Sequence, residues 1–223
     1  MEQRQILSSG RYDLSHLTPD FVARRLAERG PLEVTADPPP RGDHDLNPGM
    51  FSAETKPLTR AAVLVPLIER EDGLSVLLTE RSATLKDHAG QISFPGGRHD
   101  PEDVDAVATA LRETDEEVGL PATLIRVIGR LDTYITGTGY SVTPIVGLIR
   151  PPFPIEADPV EVADVFEVPL GFLMNPANHQ QHSREYQGRT RHYYAIPFEN
   201  RYIWGATAGM LVNLSRLLAP DPA

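Results

Sequence analysis

Four acids crowd five consecutive positions, Glu113, Asp115, Glu116 and Glu117 around Thr114, with Arg112 immediately before them and a glycine pair, Gly96-Gly97, upstream. On a helix advancing about 100° per residue, Glu113 and Glu117 lie within roughly 40° of each other, with Glu116 about 60° to the other side. Three carboxylates then share one face near a helix C-terminus, where the macrodipole disfavours anions and like charges at i,i+3 and i,i+4 repel. Hard divalent cations such as Mg²⁺ and Mn²⁺ take oxygen ligands and relieve that repulsion, and an arginine beside the face can grip a carboxylate with two hydrogen bonds. A solvated acidic face is the usual explanation of an isolated acid run. The glycine pair shifts the weight towards a site, because backbone without side chains can approach a metal or a phosphate closely.

These residues need a helix to hold them and a sheet to hold the helix. Asp100 is expected to cap the helix with Pro101 at its first position, and Val104, Val107, Ala108 and Leu111 recur at helical spacing as its core-facing stripe. The glutamates would then point to solvent, opposite that stripe. RAAVLVPLI and LSVLLTE, joined through Glu71-Asp72-Gly73, read as two strands around a tight turn, after which a loop carries Arg81 and Lys86 towards the glycines. LIRVIGRL, YSVTPIVGLI and RHYYAIPF read as further strands, VADVFEVPLGFL as a short strand running into a turn or helix, and WGATAGMLVNLSRLL as a closing amphipathic helix. Near the start, Thr18 caps a short helix with Pro19 at its first position and Gly30 as its stop. The Pro-, Gly- and Asp-rich stretch that follows is a linker or a surface-hugging arm. The order of elements is mixed rather than strictly alternating, which predicts an α/β (α+β) fold, with residues 1–57 as an N-terminal extension and 58–220 as the main domain.

Composition bounds the rest. The 223 residues carry 21 Lys+Arg against 31 Asp+Glu, a net charge of −10, the wrong sign for a protein that holds nucleic acid by displacing counterions. A phosphate-bearing ligand would therefore meet the chain through metal ions. With no cysteine, thiolate metal sites and cysteine nucleophiles are excluded. No apolar run long enough to span a bilayer and no secretory leader are present, so the expectation is a cytoplasmic protein with no membrane partner.

Gly96, Gly97, Arg112, Glu113, Thr114, Glu116, Glu117 and Gly119 together form a GG…REtxEExG pattern that resembles the Nudix box of metal-dependent pyrophosphohydrolases. The resemblance implies an α/β/α sandwich with a mixed sheet. It implies Mg²⁺ or Mn²⁺ held by Glu113, Glu117, Glu116 and the Gly97 carbonyl, with Arg112 orienting carboxylates and Glu161, before a later strand, as a further acid. Fifteen positions separate Gly97 from Arg112, one more than usual, and acids at Asp100, Asp103 and Asp105 replace the box's upstream glutamate. The longer spacing accompanies LLTERSATLKDHAGQISFPGG, residues 77–97, which resembles the signature of the coenzyme A pyrophosphatase branch. That branch implies hydrolysis of coenzyme A to 3′,5′-ADP and 4′-phosphopantetheine, with Arg81, Lys86, Gly96 and Gly97 at the substrate's phosphates. The rival readings are a Nudix hydrolase of ADP-ribose, NADH or a nucleotide sugar, and a non-catalytic nucleotide-binding module. A small-molecule substrate is expected in either enzyme reading, and a homodimer is compatible with both.

Overall fold

The computed structural model describes residues 14–30, 32, 40–49, 57–85, 88–186 and 188–220. In chain order the elements are α1 (Pro19–Ala27), β1 (Arg41–Gly42), β2 (Thr59–Arg70), β3 (Gly73–Arg81), β4 (Ile92–Ser93), β5 (Gly96–Arg98), α2 (Ala106–Val118), β6 (Ile125–Arg130) and β7 (Tyr134–Ile135). They continue with β8 (Tyr140–Ile149), β9 (Val162–Pro169), α3 (Leu170–Met174), β10 (Gln180–Tyr186), β11 (Arg189–Phe198), β12 (Arg201–Trp204) and α4 (Ala206–Leu217).

The central strand β2 lies parallel to β8 and antiparallel to β3 and β5, and the nine-stranded mixed sheet grows outwards from it to β1 and β7 on one side and β4 and β9 on the other. Side chains of β2 alternate between its two faces. Ala62, Leu64 and Ile68 join Ala110 and Val118 of α2 in one apolar layer, whereas Val65 and Leu67 join Val22 of α1, Leu173 of α3 and Leu211 of α4 in the other. A sheet covered by helices on both faces is the expected sandwich, and the mixed α+β class stands. Burying β2 on both faces explains its near-continuous run of apolar residues.

Several boundaries differ from the sequence reading. Helix α2 starts at Ala106 rather than beside Asp100, because Asp105 is the N-cap and accepts the Ala108 amide at 2.8 Å. The preceding residues turn instead, and Val104, expected in the core, is 89% exposed. The buried stripe of α2 is Ala110, Thr114 and Val118, with Thr109 and Glu117 also buried. Threonines can occupy such positions because their hydroxyls are satisfied locally: Thr114 donates to the Ala110 carbonyl at 2.6 Å. Arg81 ends strand β3 rather than lying in a loop, and the glycine pair sits on β5. Trp204 closes β12, so the final helix begins two residues later than read.

Of the second sheet, antiparallel β10-β11-β12, the sequence pattern predicts only the RHYYAIPF strand. In α1 the cap and proline are as expected, with Thr18 accepting the Phe21 amide at 3.2 Å. The arm is partly built into the molecule. β1 runs parallel to β7, and the buried Asp43 accepts from the Tyr134 hydroxyl at 2.9 Å, the Gly137 amide at 2.7 Å and Arg191 at 2.5 Å.

Candidate active site

Pairing of β5 with β2 sets Gly97 opposite Ala62, on the face against which α2 packs. A β-carbon on Gly97 would collide with the Glu113 carboxylate, and one on Gly96, whose φ is 147°, would collide with backbone of β2. Gly96 is therefore held to glycine by backbone conformation and close backbone, while any side chain at Gly97 would push the Glu113 carboxylate aside. Gly96 donates its amide to Oε2 of Glu117 at 3.1 Å, and Arg81 Nη1 lies 3.6 Å from Oε1 of the same carboxylate.

The three glutamates differ in environment. Glu117 is only 4% exposed, Glu113 is half-buried and Glu116 is exposed. Burial pushes the Glu117 carboxyl up to about 7, opposed by the Gly96 amide and Arg81 and reinforced by the charges of Glu113 and Glu161. Burial also raises Glu113, against the pull of Arg112. This corrects the expectation that all three acids face solvent: Glu117 lies under β5, within the layer between helix and sheet.

Glu161 reaches the same place because the loop before β9 wraps the end of α2. The Glu156 amide donates to the Val118 carbonyl at 2.9 Å and the Asp158 amide to that of Glu117 at 3.0 Å, which satisfies carbonyls the helix end would otherwise leave open. The Glu161 carbonyl in turn accepts the Ser82 amide at 2.7 Å. Gly119, at φ 65°, provides the left-handed C-cap that lets the chain leave.

Arg112 organises the carboxylates. It holds Asp103 through Nε at 3.0 Å and Nη2 at 2.9 Å, and its Nη1 bonds Glu113 at 3.1 Å and Glu116 at 3.0 Å. Its Nη2 also donates to the Arg98 carbonyl at 3.2 Å, which ties β5 to α2. The Arg112 hydrogen bonds hold Asp103 well below the usual carboxylate range. Sequence alone left three acids to choose from. The structure gives Asp103 to Arg112, Asp105 to the helix cap, and Asp100 to a local turn through the Glu102 amide.

The remaining candidate, Lys86, lies outside the described residues. His88 bonds Gln91 at 2.8 Å, and His99 bonds Thr109 at 3.0 Å, which itself donates to Asp103 at 2.8 Å. Tyr134 is buried on Asp43, whereas Phe153 packs beside α2's apolar layer with Arg70 over its ring. Tyr140 accepts from Arg98 at 2.6 Å, a contact with no signal in the sequence.

The donor set suits a hard divalent cation. Glu113, Glu117 and Glu161 repel one another, the side-chain-free Gly97 comes close to the Glu113 carboxylate, and a cation would relieve the cost of keeping Glu117 ionised under the sheet. Among the described residues no three acid or histidine side chains converge on a common metal position, and Arg112 occupies Glu113 and Glu116 instead.

Residues 58–186 match the NUDIX domain. The chain is 40% identical over 166 residues to the uncharacterized Nudix hydrolase NudL of Yersinia pestis, covering 74% of this chain and 81% of that protein, and equally so to NudL of Yersinia pseudotuberculosis. Among solved structures, a C. elegans Ap4A hydrolase is 22% identical, covering 49% of this chain and 80% of that one with a TM-score of 0.44. The chain belongs to the Nudix hydrolase family, whose members hydrolyse nucleoside diphosphate derivatives and generally use divalent metal ions. Among the described residues no helix is long and apolar enough to cross a membrane.

Proposed function

We propose that the protein hydrolyses the diphosphate linkage of coenzyme A or its derivatives, giving 3′,5′-ADP and 4′-phosphopantetheine or its acyl form. The supporting observation is that two residues of the 77–97 signature, Arg81 and Gly96, converge on the buried Glu117 of the Nudix helix. That placement supports reading the signature as part of the reaction centre.

Glu113, Glu117, Glu116 and the Gly97 carbonyl would hold Mg²⁺ or Mn²⁺. When bound, such ions neutralise phosphoryl oxygens and make a water easier to deprotonate. Arg112 fixes Glu113 and Glu116 in one orientation while Asp103 fixes Arg112. Glu161, held beside the helix end by the wrapped loop, is assigned the proton of the attacking water. Arg81 borders this centre, which suits a contact to the diphosphate better than one to the distant 3′-phosphate. Lys86 retains the substrate-phosphate role its signature position implies.

The test is a substrate panel with Mg²⁺ or Mn²⁺ in which products are resolved by mass. Coenzyme A cleaved to 3′,5′-ADP with the highest kcat/KM supports the assignment. Faster turnover of ADP-ribose, NADH or a nucleotide sugar would remove coenzyme A and leave the hydrolase chemistry. Binding without turnover of any of them would favour a non-catalytic module.

A further inference from the structure

The three-stranded sheet carries an unusual face. Residues paired across antiparallel strands point the same way. The register sets His182 against Tyr193, Arg184 against Arg191 and Tyr186 against Arg189, with Trp204 against Ala195. The opposite face, with Ile196 and Ile203, packs into the core. On the outward face Tyr193 and Trp204 meet edge to face with centroids 5.4 Å apart, His182 stands 6.0 Å from Tyr193, and Arg184 lies over the Trp204 ring at 5.1 Å. All seven residues of β10 are exposed, and Tyr193 and Trp204 are half-exposed.

Charge sharpens the contrast. The chain as a whole carries −10, yet this face presents Arg184, Arg189 and Arg191. Asp43 engages Arg191, whereas neither Arg184 nor Arg189 has a carboxylate partner among the described residues. Aromatic rings beside guanidinium groups that lack a carboxylate partner are the chemistry that reads a nucleotide, with rings for the base and arginine forks for a phosphate. An apolar partner would leave the arginines unsatisfied, and an acidic peptide would leave the rings unused.

The sheet that carries this face is connected to the reaction centre through two routes in the fold. β12 packs against β4, Thr207 at the start of α4 donates to the Ile92 carbonyl at 3.0 Å, and Gly96 follows the end of β4 by three positions. At its other side, Arg191 meets Asp43, which holds the Gly137 amide in the loop leading to Tyr140, the partner of Arg98.

We propose that this face is the nucleoside-phosphate subsite of the substrate, with a purine base stacked at Tyr193 and Trp204 and a terminal phosphate held by Arg184 and Arg189. The inference rests on the proposed function for its ligand class, a nucleoside diphosphate derivative bearing a further phosphate. Its test does not depend on turnover.

Trp204 is the chain's single tryptophan, so its fluorescence reports directly on the subsite. The full chain in EDTA is titrated with adenosine 3′,5′-bisphosphate. Saturable quenching is expected, with the dissociation constant raised about tenfold or more in Arg184→Glu and in Tyr193→Ala. Arg184→Lys recovers most of the Arg184→Glu loss, and Glu113→Gln quenches normally while losing activity. No saturable quenching, or an equal response to inorganic pyrophosphate or 4′-phosphopantetheine, overturns the subsite. A much tighter response to a short oligoribonucleotide overturns it in favour of RNA. If coenzyme A is not a substrate but the Arg184-dependent quenching occurs, the subsite stands and the substrate assignment falls; turnover of coenzyme A without quenching gives the reverse.

Discussion

The Gly96 amide donates to Oε2 of Glu117 at 3.1 Å, across 21 positions of sequence. One bond thus fixes the distance between the glycine pair and the helix that carries the acids. Glu117→Gln keeps that acceptor but removes the charge, so kcat/KM at saturating Mg²⁺ should fall at least about a hundredfold while circular dichroism is unchanged. Asp115 is exposed and lies on another side of α2, so Asp115→Asn should stay within about twofold. Comparable losses in the two variants would point to general charge rather than to coordination.

In metal-free protein the buried Glu117 opposes folding at neutral pH. Its carboxyl rises from 4.5 to about 7 in the folded state, so the folded chain binds the proton more tightly. The associated stability is complete below pH 4.5 and lost as pH rises through 7. Urea titrations in EDTA should therefore show Glu117→Gln more stable than the parent at pH 8, with the difference vanishing at pH 4. Added Mg²⁺ should stabilise the parent more than the variant at pH 8. A constant difference across pH would remove the charge of Glu117 as its cause.

Asp103 is linked to the acids through Arg112, which it holds with two hydrogen bonds. Replacing it by alanine leaves Arg112 without its bidentate partner, at a cost of about 1–3 kcal/mol in unfolding free energy. Activity should fall mainly in kcat, because Glu113 and Glu116 lose their orienting group, and Asp103→Glu should recover part of it. A change confined to KM would instead indicate a substrate contact.

Gly97→Ala tests close approach. Its β-carbon would displace the Glu113 carboxylate, so isothermal titration should show Mn²⁺ binding weakened by about tenfold or more. Unchanged Mn²⁺ affinity would take the Gly97 contact out of the metal site.

Asp43 tests whether the arm is integral. Its carboxylate holds Tyr134, Gly137 and Arg191, and burial next to that carboxylate keeps the Tyr134 hydroxyl protonated far above its usual range. Asp43→Ala should cost about 3–5 kcal/mol as a broken buried ion pair. Loss below about 1 kcal/mol by urea denaturation would show the arm to be dispensable for stability.

Local rules sufficed where neighbours in sequence supply the physics. Thr18 and Pro19 start a helix from within it, the alternating layers of β2 follow from the strand's own period, and the REtxEE run places its three glutamates on one face of a helix through 3.6-residue geometry alone. Which side of that face is buried was not legible, because Glu117 is covered by β5, a strand more than a dozen residues upstream that docks only when the sheet forms. The choice among Asp100, Asp103 and Asp105 likewise depended on how the chain turns before α2, since all three are equally good caps by type. β10 has no local signature, because QQHSREY lacks apolar alternation, being exposed along its whole length, and is a strand only because β11 offers it a ladder. Residue types and spacing thus carried the chemistry, whereas the burial that distinguishes one acid from the next belongs to contacts between distant segments, whose energies no local pattern records.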